Sequence, residues 1–365
     1  MRPHIRNTRR TRYVPCVRHC RTALVAALAS VLIAPVPAVS AAAASPRIPT
    51  GAATRRVPAD TSGEYRQAGT PGHRLHSDDP TDSVTCHAPH APGLAARLSH
   101  DIRAALSSRD GTVSVAVHDD LGLTCELASR RQYDSASVAK VLIMEGLLRR
   151  AEERGRKLTG WETTNVRPMI VSSDNDAAWR LWTALGHTYL NGFLARVRTR
   201  ATVLGPGGYW GLTRTTADDQ MRLLDVLTHT RSFLRTRAYG LKLLSEVRSD
   251  QRWGVPAGMP AGLKAHVKNG WLPRSTHGWR VHSVGAFTGE GRAYRIVVLS
   301  HDNPTKAYGV RTIERIAQAV HRGLGQGRVL GRDLTPPAAI SEEPDGSAPY
   351  DPLPGWDAPE PGATP

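Results

Sequence analysis

Five strand-like segments in this 365-residue chain fall into two groups set far apart, and that separation constrains the fold more than any other feature of the sequence. Residues 112–118 and 123–128 form the first group, joined by Asp119-Asp120-Leu121-Gly122, a turn suited to a hairpin. Residues 265–269, 279–288 and 294–300 form the second. Between them the apolar spacing is helical, at 138–154, 174–185, 190–197 and 217–229, and helices at 94–106 and 311–324 bracket the whole. A helix and two strands, then helices, then three strands and a helix predict an α/β (α+β) fold. One antiparallel sheet is assembled from both ends of the domain and flanked by helices, and the insertion forms a helical part of its own. Catalytic groups are expected at the seam between the two.

Three short motifs fall in order across this pattern: Ser137-Val138-Ala139-Lys140, Ser173-Asp174-Asn175 and Lys268-Asn269-Gly270. A serine with a lysine three residues on is common, because a helix-opening serine and a solvated lysine need no function. All three in order arise by chance less than about once in a thousand such chains, so together they mark a site. If Ser137 opens a helix, Lys140 lies one turn on and faces the same side, close enough to take the hydroxyl proton. The first N–H groups of that helix point at the oxygen of an attacked carbonyl. A lysine acts as a base only when its pKa falls well below the ordinary value of about 10.4, and a nearby cation lowers it; Lys268 is the candidate. Ser173, at the start of another helix, would set its hydroxyl opposite Ser137 as a relay to the leaving nitrogen. Asn175 would hold Lys140 and a substrate amide. Gly270 would let substrate lie against its strand, and the N–H of Trp271 would complete an oxyanion hole with that of Ser137.

These motifs resemble those of the penicillin-binding proteins and serine β-lactamases, and within that superfamily the class A β-lactamase-like branch. The resemblance extends over roughly residues 94–324. It is also carried by the run from Met169 to Ala178 around Ser173-Asp174-Asn175, by Arg214-Thr215-Thr216, and by Val297-Val298-Leu299-Ser300 on the final strand. It implies a β-lactamase-like fold with a reduced all-helical subdomain and the site between the two parts. It implies Ser137 as nucleophile, Lys140 as its base partner and Ser173 as proton relay, with Lys268 and Asn269 anchoring a substrate carboxylate. Arg280 aligns with a carboxylate-binding arginine of the family, a solvated strand arginine being the other reading. The substrates implied are β-lactams or acyl-D-alanine cell-wall peptides.

The departures matter too. Class A enzymes carry a glutamate, in a loop after the Ser-Asp-Asn motif, that activates the deacylating water. Here no Asp or Glu lies between Asp176 and Asp218, and the loop at 202–213, with Gly205-Pro206-Gly207-Gly208, is remodelled. Asn269 replaces the usual Thr or Ser. Acylation is therefore expected, whereas fast deacylation is not. A peptidase or esterase of the penicillin-binding type and a non-catalytic peptidoglycan-binding module stand as the alternatives.

The ends of the chain are read from composition. Residues 1–41 run from a basic stretch into a short apolar one and reach Val39-Ser40-Ala41, the layout of a cleavable secretory signal, with Arg9-Arg10 leaving the export route open. Residues 42–85 read as a flexible linker, 86–330 as the hydrolase domain, and 331–365 as a disordered proline-rich tail with Glu342, Glu343, Asp345, Asp351, Asp357 and Glu360. Seven of the arginines behind the net charge of +16 lie in residues 1–41, and the rest are dispersed among acids, so nucleic-acid binding is not expected. Cys16 and Cys20 precede the apolar run, where a lipid-modified cysteine would have to follow it. Cys86 and Cys125 remain as a candidate disulfide of an exported protein. The 15 histidines show no zinc-binding pair on a helix, so neither metal nor cofactor is expected. The mature protein is expected to be a secreted monomer without a membrane anchor, its partner a small β-lactam or cell-wall peptide.

Overall fold

The computed structural model describes residues 83–325, 340–349 and 351. The predicted signal segment lies outside them, as does the linker up to residue 82. Among the described residues no helix is long and apolar enough to cross a membrane.

The chain opens with a short strand β1 (Thr85–His87), helix α1 (Pro92–Leu106) and strands β2 (Thr112–Asp119) and β3 (Thr124–Leu127). After a two-residue strand β4 (Tyr133–Asp134) come helices α2 (Ala139–Glu153), α3 (Gly160–Val171), α4 (Asn175–Leu185) and α5 (His187–Val197). A second short strand, β5 (Arg214–Thr215), pairs with β4 and precedes α6 (Ala217–Thr228) and α7 (Arg237–Ser245). Strands β6 (Lys264–Pro273), β7 (Trp279–Gly289) and β8 (Arg292–Asn303) and the closing helix α8 (Lys306–Gly325) complete the unit.

The sheet has the order β1-β3-β2-β8-β7-β6 and every pairing is antiparallel, so β2 and β8, from opposite ends of the domain, lie side by side. Strand alternation divides β7 between two layers. Val281 lies against Gly309 of α8 and the Phe287 ring packs edge-on to His321 of α8, while His282, on the other face, bonds the carbonyl of Asp134 beside the nucleophile segment. With both faces covered, β7 is buried from Trp279 to Phe287, and its polar members Arg280, His282 and Ser283 are buried with the rest.

The insertion packs around α2. That helix is buried on all sides from Ala139 to Leu148 and touches α3, α4, α5 and α7, as a helix at the centre of a bundle must. Helix α3 was not anticipated from apolar spacing, yet Thr159 and Glu162 form a reciprocal capping box at its start, a signal legible in Thr-Gly-Trp-Glu. Cys86 and Cys125 face each other across β1 and β3 and form a disulfide with Cα atoms 4.0 Å apart.

The expectation for the C-terminal end meets the structure only in part, since residues 331–339, 350 and 352–365 lie outside the described residues. The acidic tail expected to be disordered over 331–365 is ordered at 340–349: Ile340 packs against the core, and the residues after it run into the cleft between sheet and helical insertion. Polar contacts with backbone amides and basic side chains, rather than apolar burial, hold it there.

Candidate active site

Ser137 sits in a single 3-10 turn, Ala136–Val138, that feeds α2. Ala136 adopts φ 45°, a strained value for a residue with a Cβ, and the surroundings fix it. Ser135 N–H donates to Thr213 O at 2.8 Å, and His282 bonds the Asp134 carbonyl at 2.8 Å. Strand β6 presses on the turn from the other side. A Cβ on Gly270 would lie 2.6 Å from Ser137 N and 2.9 Å from Val138 N, so a glycine is required here by the nucleophile turn itself. Gly270 was expected to make room for substrate; what it admits is the turn.

Ser173 is the hub of the polar network. It lies just before α4 with φ 58°, and Asp174 caps that helix by accepting from Ala177 N–H. The Ser173 hydroxyl donates to Ser137 Oγ at 3.2 Å and accepts from Lys140 Nζ and Lys268 Nζ, each at 3.0 Å. Lys140 also donates to Ser173 O at 2.6 Å and to Asn175 Oδ1 at 2.8 Å, which occupies all three ammonium protons. The path from Lys140 to Ser137 thus runs through Ser173 rather than directly, as the spacing alone had suggested. Both lysines are fully buried. Burial, reinforced by the neighbouring Lys268 charge, holds the Lys140 pKa well below that of a free lysine; burial brings Lys268 down to about 8. The Trp210 ring sits 4.5 Å from Lys140 Nζ, closing that side of the site.

Two residues depart from their expected roles. Alternation along β6 points Lys268 and Gly270 at the site and Asn269 away from it. The Asn269 amide donates to Gln251 O and Trp253 O, 2.9 Å each, and so ties down the segment before β6 instead of anchoring substrate. Arg280 is neither free nor solvated. Its Nε pairs with Asp134 at 3.0 Å and its Nη1 donates to the carbonyls of Thr276 and Gly278, so local partners hold the guanidinium in place.

The loop that would carry a deacylating carboxylate offers none. Asp219 accepts from Arg200 N–H, Ala201 N–H and Thr202 Oγ1 and is spent on holding that loop's shape. The acid that does reach the nucleophile comes from the tail and was not anticipated: Asp345 Oδ2 accepts from Ser137 N–H at 3.1 Å. Lys306, at the start of α8, was missed as well; its Nζ sits 3.9 Å over the Trp271 ring and donates to Ser341 O. Among the described residues, one group of side chains could hold a metal ion, His277, His301 and Asp302, whose ligand atoms lie within 4.8 Å of one another. None of the three belongs to the Ser137–Ser173–lysine network.

Comparison with known proteins points to the same fold. Residues 163–324 match the family model described as "Beta-lactamase enzyme family". Over 228 residues the chain is 29% identical to "Putative lipoprotein LppW" of Mycobacterium tuberculosis, a match covering 60% of this chain and 71% of that protein. The β-lactamase of Sphaerobacter thermophilus superposes with a TM-score of 0.54 at 21% identity, over 65% of this chain and 98% of that one. A penicillin-G acyl-enzyme of a PBP-A mutant superposes equally well, at 0.54 and 17% identity, over 64% of this chain and 97% of that one.

Proposed function

From the match of residues 163–324 to the β-lactamase enzyme family and the β-lactamase-like fold, we propose that this chain is a member of the serine β-lactamase and penicillin-binding-protein superfamily, an exported serine hydrolase that forms an acyl-enzyme on Ser137. Its substrates are β-lactams or the acyl-D-alanine termini of cell-wall peptides, which share an amide next to a carboxylate. The observation that carries this reading is the unbroken hydroxyl–hydroxyl–ammonium chain from Ser137 through Ser173 to Lys140.

In that reading Ser137 Oγ attacks the amide carbon while its proton passes through Ser173 towards Lys140, which serves as a base once it has lost one of its three protons. The new oxyanion is received by Ser137 N–H and by the N–H of Trp271, on the strand beside it. As the C–N bond breaks, the proton returns through Ser173 to the leaving nitrogen. Lys268 attracts the substrate carboxylate. Water then cleaves the ester to regenerate Ser137.

Acylation is expected to outpace deacylation, because the loop at 199–213 supplies no carboxylate to activate that water. This favours penicillin-binding behaviour, with a long-lived adduct, over rapid β-lactam turnover. The basic and apolar leader together with the relative named as a lipoprotein supports a place at the cell envelope. The same missing carboxylate is what a non-catalytic wall-binding protein would show, although such a protein has no need of two buried lysines around a serine pair.

Intact-mass spectrometry with a penicillin tests the proposal. A mass increase equal to the drug, lasting hours and absent in Ser137→Ala, is the expected result. An adduct that forms and clears while drug is consumed would make the protein a β-lactamase, and no adduct at all would remove the β-lactam reading.

A further inference from the structure

The cleft in front of Ser137 is filled by the protein's own acidic tail, and the contacts are specific at every step. Glu342 takes the first amides of α8, with Lys306 N–H at 2.7 Å and Ala307 N–H at 3.0 Å, while Lys306 Nζ donates to Ser341 O. One residue on, Glu343 O accepts from the Trp271 indole at 2.8 Å. Asp345 then bridges the site: Oδ2 accepts from Ser137 N–H, and its backbone O accepts from Asn175 Nδ2 at 2.6 Å. Gly346, at φ 71°, turns the chain so that Ser347 reaches the other wall, where its O accepts from Gly211 N–H. Asp345 Oδ1 accepts from Ser347 N–H and locks that turn.

Ser137 N–H is the donor that an oxyanion needs, and an oxygen 3.1 Å from it stands where a substrate carbonyl oxygen must go. Tail and substrate therefore cannot be bound together. We propose that residues 341–347 are an autoinhibitory strap whose Asp345 carboxylate occupies the oxyanion position, so that Ser137 reacts only after the segment has left. The proposal rests on reading Ser137 as the nucleophile. Two further observations fit it. With the strap in place the Asp345 charge favours the protonated form of Lys140, which cannot act as a base. Gly211 has no room for a Cβ because Ser347 lies against it, so that wall of the cleft is shaped to the strap.

The test compares the full chain with full-chain Asp345→Ala, which removes the carboxylate, and Gly346→Val, which leaves the charge and disfavours the turn. Hydrogen–deuterium exchange of peptides containing Ser137 and Trp271 reads strap release without any chemistry. Labelling of Ser137 by a fluorescent penicillin reads its consequence. Both variants should exchange faster at these peptides alone, and should be labelled about tenfold faster or more, since a competent state populated only in part lowers the apparent rate in proportion. A synthetic peptide of residues 340–351 should slow the variants again. Unchanged exchange in both variants would overturn the proposal, and so would slower labelling, which would make Asp345 an aid to the chemistry. If exchange rises but no form of the protein is labelled, the strap stands and penicillin acylation falls.

Discussion

The hydroxyls of Ser137 and Ser173 lie 3.2 Å apart, with Ser173 as donor, although 36 residues separate them in the chain. Ser173 in turn holds both buried lysines, so among the described residues the hydrogen-bonded path from the nucleophile to either lysine runs through it. Ser173→Ala should therefore slow acylation by about 10² to 10⁴-fold, the range for loss of a positioned proton-transfer group. Stopped-flow labelling checks this, and substrate affinity should change much less than the rate. A loss confined to affinity would show that Ser173 merely binds.

Lys268 and Lys140 meet at the same hydroxyl, and this sets a pH dependence. Lys140 must be neutral to act as a base, so acylation should rise with pH as Lys140 loses its proton. Lys268 must stay charged to attract a carboxylate, so binding should weaken as pH passes its value of about 8. Because the Lys268 charge helps to depress Lys140, Lys268→Met should move the rising limb to higher pH as well as weaken substrate binding. A pH profile of the acylation rate, separated from affinity, checks both signs.

Much of this site was legible because its chemistry is tied to local elements. The Ser-x-x-Lys spacing is one helical turn, and Ser173-Asp174-Asn175 contains the cap of α4. Gly270 was singled out, though for the wrong neighbour, because a sequence shows that a Cβ is missing and not what fills the gap. Asn269 and Arg280 were assigned by position in a motif or alignment, and strand alternation and the nearby Asp134 gave them other tasks. The strap was invisible for a different reason. A proline-rich acidic segment has no apolar periodicity, and its order comes from amides and cations presented by β6, α8 and the nucleophile turn, which no local pattern records.

Glu145 is a buried residue of α2 whose two carboxyl oxygens have no hydrogen-bond partner, and burial holds its pKa well above the carboxylate range. The unfolded chain gives up this proton near pH 4.3 and the folded chain keeps it, so stability is lost as pH rises from about 4.3 until the folded group itself ionises. Glu145→Gln should flatten that part of the profile. Glu145→Met, similar in shape and without polar oxygens, should raise stability at pH 7.5 by about 1–3 kcal/mol. Urea melts at pH 5 and pH 8 check both variants, and parallel profiles for the native and Gln proteins would mean that the buried group does not titrate.

Cys86 and Cys125 join β1 to β3 at one edge of the sheet, whereas β6, which carries Lys268 and Gly270, forms the other. The bridge closes a 39-residue interval. Replacing both cysteines by serine should lower stability by about 3–4 kcal/mol through the freer unfolded chain. The acylation rate of the folded fraction should not change. A thermal melt paired with labelling at low temperature separates these effects, and a slower reaction at full folding would mean that the edge strands do influence the site.

Gly270→Ala is the sharpest test of how the nucleophile is held. The added Cβ would meet three backbone atoms, Ser137 N at 2.6 Å, Val138 N at 2.9 Å and Ser135 O at 3.1 Å, and none can swing away as a flexible side chain can. Strand β6 is bonded to β7 from Lys264 to Pro273, so the ladder resists moving and the lighter 3-10 turn must give way. Displacement by even a fraction of an ångström would carry Ser137 N–H off the oxyanion position and lengthen the contact to Ser173. Acylation should fall by about 10²-fold, the scale for a misplacement near 1 Å. Stability should fall by only about 1–3 kcal/mol, as for other overpacked sites. Measured together, labelling rate and melting temperature distinguish a displaced nucleophile from a damaged fold. A variant that reacts at the native rate would show that the turn keeps its shape without the support of β6.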